Sequence, residues 1–331
     1  MVDLRYHLIT MQSKLTVENI IQNWPLELLN GHLHFTIALS GGVDSVVLLD
    51  IFSKISKIKP IRLSAIHVNH NISPNSSHWA EFCQNLCNKY NIKLETASIK
   101  VTKIGGEGLE NSARKARYKE FYNLRSDVII LAHHKDDQIE TMLSQIMRGS
   151  SITNCAGMLS ISQKNNKIFW RPLLDIDKSE IVKYAEENSL TNIEDESNSD
   201  NQYLRNFIRN DIMPQLISYD KNIINKLSQL VNNFSESVKL HEDLARIDLN
   251  NLSENLTIDK SEFLKLAEHR QINLLNYLIK NNEIPLTSQK SLREFCRQLH
   301  SKQNPQITLK LSNTHKLVAD KKYIQIQQSD S

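Results

Sequence analysis

Glycine is scarce in this chain. Only 8 of the 331 residues are glycine, and all eight lie between Gly31 and Gly157. An average composition of ~7% would give about 23 glycines in a chain of this length. Where glycine is this rare, a pair such as Gly41–Gly42 indicates a place where the backbone itself needs an unusual conformation.

Cysteine pairs and long apolar runs are also missing. The four cysteines, Cys83, Cys87, Cys155 and Cys296, form no CxxC pair and no disulfide-framework spacing. This predicts a reducing compartment and no cysteine-based metal centre. No run of about 18 apolar residues is present, so we expect no membrane-spanning helix. The N-terminal residues lack the apolar stretch of a signal peptide, and we expect a cytoplasmic protein.

The charge is nearly balanced. Lys+Arg 40 against Asp+Glu 37 leave a net charge of +3, which is too small to indicate a nucleic-acid-binding protein by itself. The length corresponds to about two domains. We predict an N-terminal lead-in with a short helix over 1–30, a catalytic domain over 31–217 and a smaller C-terminal domain over 218–331. The last domain is expected to be mostly helical with a short β tail.

Apolar, β-rich runs alternate with helical patterns in the first half of the chain. The expected strands cover 35–40, 62–70, 93–99 and 127–134, and the expected helices cover 46–55, 77–90, 111–125 and 136–148. This alternation is typical of βαβ units, and it predicts an α/β fold, a Rossmann-like parallel sheet with helices on both faces. Ligands of such sheets bind beyond the carboxyl ends of the strands.

The sharpest motif, Ser40-Gly41-Gly42-Val43-Asp44-Ser45, lies between the first strand and its helix. Two glycines allow a tight turn that points backbone N–H groups at one place, and the helix adds its positive N-terminal end. The serines can donate hydroxyl hydrogen bonds, and Asp44 can hold a Mg²⁺ that bridges phosphates. We predict that this loop binds a phosphate or pyrophosphate; the alternative is a plain Gly-Gly turn with Asp44 capping the helix.

This loop resembles that of the PP-loop ATP pyrophosphatase superfamily, which implies that all six of its residues bind ATP. Further blocks narrow the resemblance to tRNA(Ile)-lysidine synthetases. In family order, these blocks are Glu110–Tyr118 (ExxARxxRY), Ala132–Thr141 with Met147–Ser150 (AHHxDDQxET and RG), Arg171–Leu174 (RPLL), Glu194–Asn198 (EDxSN) and Arg205–Arg209 (RNxxR). The resemblance implies that the C2 oxygen of the wobble cytidine in the CAU anticodon of an isoleucine tRNA is adenylated. The ε-amine of free L-lysine then displaces AMP and leaves lysidine.

Asp137 and Glu140 stand three residues apart at the start of the expected fourth helix, which places both carboxylates on one face. With the resemblance, they suit the ammonium groups of a lysine substrate; the alternative is that they only complement the helix dipole. His133 ends the preceding strand. There it can contact the nucleotide or take a proton from the attacking amine, or it can be an ordinary hydrogen-bonded rim residue.

Arginines suit the negative charge that develops on the α-phosphate. Arg114 and Arg117 lie three apart on one helix, and a solvated basic face is the alternative. Arg205 and Arg209, four apart, can close over the adenylate or contact tRNA. They can also form ion pairs with nearby acids: Glu194, Asp195 and Asp211. We therefore expect catalytic roles for five residues: Asp44, Asp137, His133, Arg114 and Arg205.

The C-terminal end is locally basic. Between Lys290 and Lys322 there are eight basic residues against Glu294 and Asp320. Such an excess can bind tRNA phosphates, and a solvated face is the alternative. With the resemblance, we expect tRNA contacts at four of them: Lys290, Arg293, Arg297 and Lys316.

Three other functions compete with this interpretation. A PP-loop enzyme that thiolates tRNA would need cysteine arrangements that this chain lacks. A small-molecule amide-forming synthetase would not need a basic C-terminal domain. A non-catalytic nucleotide-binding module would not need the acids and arginines together. The sequence is compatible with a homodimer and does not decide the oligomeric state.

Overall fold

The computed structural model describes residues 15–25, 28, 33–71, 73–99, 109–194, 196, 202–254, 257–282, 284, 288–301 and 306–329. The chain divides into two compact units, Met1–Asn232 and Asn233–Ser331. The domain limits at 30/31 and 217/218 stay a prediction.

A six-stranded sheet forms the centre of the first unit. Its strands are β1 (His34–Ala38), β2 (Arg62–Asn69), β3 (Lys93–Ser98), β4 (Val128–Ile130), β5 (Ile161–Lys164) and β6 (Lys167–Trp170). They lie in the order β3-β2-β1-β4-β6-β5, and all neighbours are parallel except the β5–β6 pair. The predicted parallel sheet is confirmed. Because β2 and β4 flank β1, the winding reverses at the carboxyl ends of β1 and β4.

The helices of this unit follow the strands as expected. They are α1 (Val17–Gln22), α2 (Val43–Ile55), α3 (Ser76–Tyr90), α4 (Leu109–Asn123), α5 (Lys135–Met147), α6 (Ile152–Cys155), α7 (Lys178–Glu187), α8 (Leu204–Phe207) and α9 (Met213–Tyr219). A π-helical segment, Ile208–Ile212, joins α8 to α9.

Both faces of the sheet are covered by apolar side chains. Val128 and Ile130 of β4 belong to a cluster that includes Phe52 of α2, whereas Ile129 belongs to a second cluster with Phe121 of α4. All three β4 residues are completely buried. A strand buried on both faces has no polar alternation, which explains why the β4 sequence is uniformly apolar.

The sequence-based prediction missed the β5–β6 hairpin, although a local signal for it exists. Asn165 and Asn166 join the two strands, and both have positive φ angles, 48° and 58°. Two consecutive residues with positive φ are the mark of a type I′ hairpin turn, which favours asparagine. The four predicted strands therefore form only part of the sheet, and β6 extends it beside β4.

The second unit combines helices with an antiparallel sheet. The 30-residue helix α10 (Ile223–Leu252) begins before residue 233, and α11 (Lys260–Phe263), α12 (Glu268–Asn281) and α13 (Gln289–Leu299) follow it. The strands β7 (Ser253–Glu254), β8 (Thr257–Asp259), β9 (Ile307–Lys310), β10 (His315–Ala319) and β11 (Tyr323–Gln328) lie in the order β7-β8-β11-β10-β9. The helical domain with a β tail is confirmed, with two earlier short strands added to the tail. In the described part of the chain, no helix has both the length and the apolar character needed to cross a membrane.

Candidate active site

The loop from Ser40 to Ser45 leaves the carboxyl end of β1 and leads directly into α2. Ser45 Oγ accepts hydrogen bonds from the N–H groups of Ser40 (3.3 Å) and Gly41 (3.2 Å), and it donates to the Gly42 carbonyl (2.9 Å). Gly42 is the N-cap of α2, so the N–H groups of the first helical turn follow at once. These hydrogen bonds hold the loop in the shape of an anion-binding turn.

Gly41 needs to be glycine for two reasons. Its φ of +94° lies in a region that side chains with a Cβ rarely adopt, and a Cβ there would approach Ile193 Cδ1 to 2.9 Å. The Ile193 N–H also donates to the Gly41 carbonyl at 2.9 Å. The scarcity of glycine in the sequence therefore pointed to a real backbone requirement at this position.

Asp44 lies in the first turn of α2. Its Oδ1 accepts a hydrogen bond from the Lys178 ammonium at 2.5 Å, and His134 Nε2 lies 3.8 Å from the same oxygen. Within the described ranges, no group of three or more His, Cys, Asp or Glu side chains could hold a metal ion by itself. An ATP-bound Mg²⁺ takes most of its ligands from phosphate and water and only one or two from carboxylates. A single carboxylate at the phosphate loop fits that requirement.

The helix α5 begins at the carboxyl end of β4 with His134 as its N-cap. The His134 N–H donates to Asp137 Oδ2 at 2.9 Å, and its imidazole, 4% exposed, lies 3.5 Å from the same oxygen. Burial alone would raise the pKa of the Asp137 carboxyl, but the proximity of His134 and Arg205 lowers it to about 2. Asp137 is therefore ionised throughout the physiological pH range.

His133 is a neutral imidazole at pH 7. Burial lowers the pKa of His133 to about 3, and the guanidiniums of Arg171, Arg205 and Arg114 act in the same direction against the opposing effect of Asp137. Its Nδ1 has no hydrogen-bond partner among the described residues. A ring with so low a pKa is a poor acceptor for an ammonium proton, so the geometry favours a hydrogen bond from His133 to a substrate over general-base catalysis.

Asp137 and Glu140 are ion-paired with the two arginines of the RNxxR block. Arg205 donates to Glu140 (2.8 Å) and Asp137 (2.5 Å), and Arg209 donates twice to Glu140 (2.6 and 2.8 Å). Burial would lower the pKa of Arg209, but Glu140 raises it. Of the partners that the sequence offered, Asp195 lies outside the described residues. These ion pairs join two acids that were predicted to bind lysine to two arginines that were predicted to contact the adenylate or tRNA.

The turn that carries Arg209 is unusual. Arg205 lies in α8 and Arg209 in the π-helical segment. A π-helical turn widens the helix locally and is found mostly at functional sites.

Arg114 lies near the same site, and none of its described contacts is an ion pair. Its guanidinium lies 5.0 Å from the centre of the Tyr118 ring and donates to the Tyr118 hydroxyl at 3.3 Å. It is also close enough to His133 to lower the pKa of that imidazole. The neighbouring Lys115 is exposed.

Comparisons with known proteins agree with this geometry. A family model described as the PP-loop domain matches residues 9–216. A protein from Nitrosomonas europaea named tRNA(Ile)-lysidine synthase is 38% identical over 270 residues, which cover 80% of this chain and 59% of that protein. One of the same name from Francisella philomiragia is 36% identical over 272 residues, or 81% of this chain and 67% of that one. The chain belongs to the tRNA(Ile)-lysidine synthase family.

The match to relatives is partial in length. A Neisseria meningitidis tRNA(Ile)-lysidine synthase is 36% identical over 268 residues, and the chain spans only 62% of it and 59% of the Nitrosomonas protein. A solved structure, the U34-tRNA thiolase NcsA from Methanococcus maripaludis with its [4Fe-4S] cluster, is similar with a TM-score of 0.55 and 17% identity. That likeness covers 66% of this chain and 77% of the thiolase, and it shows a shared fold.

In this member of the lysidine synthase family, the loop after α5 is fastened by a side chain. Gln138 accepts a hydrogen bond from the Met158 N–H (2.6 Å) and donates to the Met158 carbonyl (2.9 Å). Gly157 has a φ of +71°, and a Cβ there would lie 2.5 Å from Gln138 Oε1. Gly157 is therefore required for the loop to pass this close to α5.

The residues predicted to contact tRNA lie in the second unit. Lys290, Arg293 and Arg297 share one exposed face of α13, and Lys316 lies in β10. Their assignment to tRNA stays a prediction. Another basic residue of the predicted patch, Lys302, lies outside the described residues.

Two of these arginines already have acidic partners. Arg293 lies 3.0 Å from Glu268, and Arg297 lies 2.7 Å from Glu294. More than half of each arginine side chain is exposed. Exposed ion pairs stabilise a protein by ~0–1 kcal/mol, so exchange of these carboxylates for phosphates would cost little.

Two basic residues near the loop were not predicted from the sequence: Lys135 at the start of α5 and Lys178 at the start of α7. Lys178 contacts Asp44, and Lys135 of α5 contacts Asp177 at 2.7 Å. The Lys178 N–H also donates to Asp136 Oδ1 at 3.4 Å. The local signal here is Asp177, which is typical of an N-cap and predicts that a helix begins after the RPLL block. It does not indicate which other helix this one packs against.

Proposed function

We propose that this protein attaches L-lysine to C2 of the wobble cytidine in the CAU anticodon of isoleucine tRNA. ATP adenylates the cytidine, pyrophosphate leaves, and the lysine ε-amine then displaces AMP. The lysidine so formed would change codon reading from AUG to AUA. The proposal rests on one observation. The SGGVDS loop and the acids Asp137 and Glu140 lie together beyond the carboxyl ends of β1 and β4, where the winding of the sheet reverses.

The loop would bind the phosphates of ATP. The N–H groups of Ser40 and Gly41 now point at Ser45 Oγ, and the same groups can turn toward phosphate oxygens. Mg²⁺ would neutralise part of the triphosphate charge, with Asp44 as its protein ligand. Arg114, which has no carboxylate ligand among its described contacts, is placed to approach the α-phosphate near His133.

Asp137 and Glu140 would bind the ammonium groups of lysine. Two carboxylates face two guanidiniums here, so the charges are balanced in the structure. An arriving ammonium must therefore compete with Arg205 or Arg209, and a displaced guanidinium is then available to the adenylate or to tRNA phosphates. The Glu140 side chain is only 4% exposed. A carboxylate this buried is costly without a positively charged partner, so Glu140 would need either an arginine or the ammonium beside it.

The tRNA would be held by the exposed face of α13 and by Lys316. A location in the cytoplasm, where tRNA, ATP and lysine occur together, completes the proposal. Thiolation fits less well, because all four thiols are buried. Burial raises the pKa of both Cys83 and Cys87 to about 12, so neither is a thiolate that could transfer sulfur.

The experiment uses the purified protein with Mg-ATP, radiolabelled L-lysine and an unmodified isoleucine tRNA transcript with a CAU anticodon. We expect label in acid-precipitable RNA, release of AMP, and no label in the methionine tRNA that shares the anticodon. Asp44→Asn should abolish both label and AMP. AMP formed with a small molecule but not with tRNA would favour the amide-forming alternative. No AMP under any condition would contradict the proposal. Size-exclusion chromatography of the same preparation tests whether a homodimer forms.

A further inference from the structure

Three helices begin at the phosphate loop. The N-caps of α2, α5 and α7 are Gly42, His134 and Asp177, and these helices are 13, 13 and 10 residues long. Side-chain contacts between their first turns show that the three ends meet: Lys178 and His134 both approach Asp44, and the Lys178 N–H approaches Asp136. Each N-terminus carries a partial positive charge, and the first turns of α2 and α5 also carry acidic side chains: Asp44, Asp136 and Asp137.

Lys178 adds a full positive charge at this point. Its Nζ lies 2.5 Å from Oδ1 of Asp44, the carboxylate that would hold a metal ion. The Lys178 side chain is 36% exposed and that of Asp44 27%. An ion pair this exposed adds little to the free energy of unfolding. A contribution to stability therefore does not explain why a lysine lies at this position.

The position of Lys178 is set by the packing of α7 on α2. Asp50 of α2 is buried and accepts a hydrogen bond from the Tyr184 hydroxyl of α7 at 2.7 Å. Lys54 of α2 donates to Asn188 at the end of α7 at 2.9 Å. Three residues of α2 thus pair with three residues of α7 in the same order: Asp44 with Lys178, Asp50 with Tyr184, and Lys54 with Asn188. The two helices run parallel in one register, which places Lys178 beside the loop.

We propose that Lys178 is a phosphate-binding residue of the loop, held by Asp44 until a phosphate oxygen replaces that carboxylate. This inference rests on the ATP use in the proposed function. With Asp44 as a ligand of Mg²⁺, the Lys178 ammonium would be left without its partner, next to the loop that binds the anion. Both residues would then keep a favourable charge contact, Asp44 with a cation and Lys178 with an anion. Lys178 thereby adds a binding residue to the loop that lies outside the SGGVDS motif.

The test measures equilibrium binding of a non-hydrolysable ATP analogue and of inorganic pyrophosphate by calorimetry, with and without Mg²⁺. The variants are Lys178→Met, Lys178→Gln and Lys178→Arg. Lys183→Met is the matched control, because Lys183 lies in the same helix with its side chain 65% exposed and pairs only with Glu187 among its described contacts. Thermal unfolding of each variant without ligand shows that it is folded.

We expect Lys178→Met and Lys178→Gln to bind both ligands about tenfold more weakly or worse, since a hydrogen bond to a charged group is lost. Lys178→Arg should recover most of the affinity, and Lys183→Met should bind as the wild type does. Unchanged or tighter binding by Lys178→Met would overturn the inference. A lysine that only forms an ion pair with Asp44 would compete with Mg²⁺ for that carboxylate, so its removal would leave ligand affinity unchanged or raise it.

The two proposals fail in different ways. If the wild type binds the analogue and Lys178→Met does not, but no tRNA is modified, the proposed function fails and the assignment of Lys178 stands. If tRNA is modified and Lys178→Met binds normally, only the assignment of Lys178 fails. A wild type that binds neither ligand contradicts both.

Discussion

At the scale of single residues, the two loop glycines differ in what they require. Gly41 has a φ of +94° and faces Ile193, whereas Gly42 has a φ of −69° and a Cβ there would meet only Ser40 Oγ, at 3.6 Å. The backbone of Gly42 is thus open to any residue, and that of Gly41 is not.

Gly41→Ala is therefore expected to lower the free energy of unfolding by about 1–3 kcal/mol and to abolish binding of an ATP analogue, because the loop must move away from Ile193. Gly42→Ala, the matched control, should change stability by less than about 0.5 kcal/mol. Urea unfolding and calorimetry measure the two effects. Equal destabilisation by both substitutions would contradict the argument.

His133 is a second residue whose environment makes a measurable difference. Its pKa of about 3 in the folded protein lies below the ordinary histidine pKa of 6.5. Between these values the unfolded chain binds a proton that the folded chain does not, so stability falls as the pH drops below 6.5. His133→Asn should reduce this loss by about 1–2 kcal/mol between pH 7 and pH 5.

The measurement is urea unfolding of wild type and variant at several pH values. The profile of His133→Asn should be flatter than that of the wild type, while both have similar slopes above pH 7. Parallel profiles from pH 7 to pH 5 would show that His133 takes up a proton in the folded state and would restore it as a candidate general base.

At the scale of helices and strands, Asp50 links three helices. It accepts hydrogen bonds from Tyr90 of α3 at 2.9 Å and from Tyr184 of α7 at 2.7 Å. Burial and this carboxylate raise the pKa of both tyrosines, so both are hydroxyl donors at any ordinary pH. Of these two hydrogen bonds, only the one from Tyr184 involves α7.

Tyr184→Phe and Tyr90→Phe should each lower the free energy of unfolding by about 1–2 kcal/mol, since each removes a hydrogen bond to the Asp50 carboxylate. Tyr184→Phe also removes the hydrogen bond that the Tyr184 hydroxyl accepts from Lys54 at 2.9 Å. Tyr184→Phe should in addition weaken nucleotide binding severalfold, because α7 carries Lys178. Tyr90→Phe is the control and should leave nucleotide affinity unchanged. Equal effects of the two variants on nucleotide binding would show that the α2–α7 register does not matter for the site.

The pairing of α5 with the Arg205–Arg209 segment gives a separate prediction. Glu140→Gln removes a buried charge that would bind lysine while leaving the phosphate loop intact. We expect the KM for lysine to rise about tenfold or more and the KM for ATP to change by less than about twofold. Steady-state kinetics of tRNA modification measure both, with thermal unfolding to show that the variant is folded. Equal rises in both KM values would argue against lysine binding at Glu140.

At the scale of the whole molecule, tRNA binding is expected to depend on the charge of the second unit. Replacing Lys290, Arg293 and Arg297 together by glutamine should weaken tRNA binding and lower the slope of log affinity against log salt by about 2–3. Replacing their acidic partners Glu268 and Glu294 by glutamine is the opposite control and should strengthen binding. Filter binding over a salt series measures the slope. An unchanged slope in the triple variant would place the tRNA elsewhere.

The chain order of the first unit could be predicted from the sequence because its elements are local. The alternation of apolar strands with helices and the SGGVDS loop each depend on residues close in the chain, and β1, α2 and α5 lie where expected. The β5–β6 hairpin was missed because its strands are four residues long. Strands this short give too few alternating positions for a periodicity to show.

The sequence by itself determined the first four strands, the helices that follow them and the phosphate loop, since apolar periodicity and backbone conformation act over a few neighbouring residues. Only the tertiary structure decided that Lys178 contacts Asp44 across 134 residues of chain and that Arg209 contacts Glu140 across 69. Such contacts depend on which helices pack together and in which register. The packing partners and register of the helices follow from the burial of whole apolar faces. A pattern of neighbouring residues in the sequence could therefore not predict that Lys178 lies at the loop or that the acids form ion pairs with the arginines.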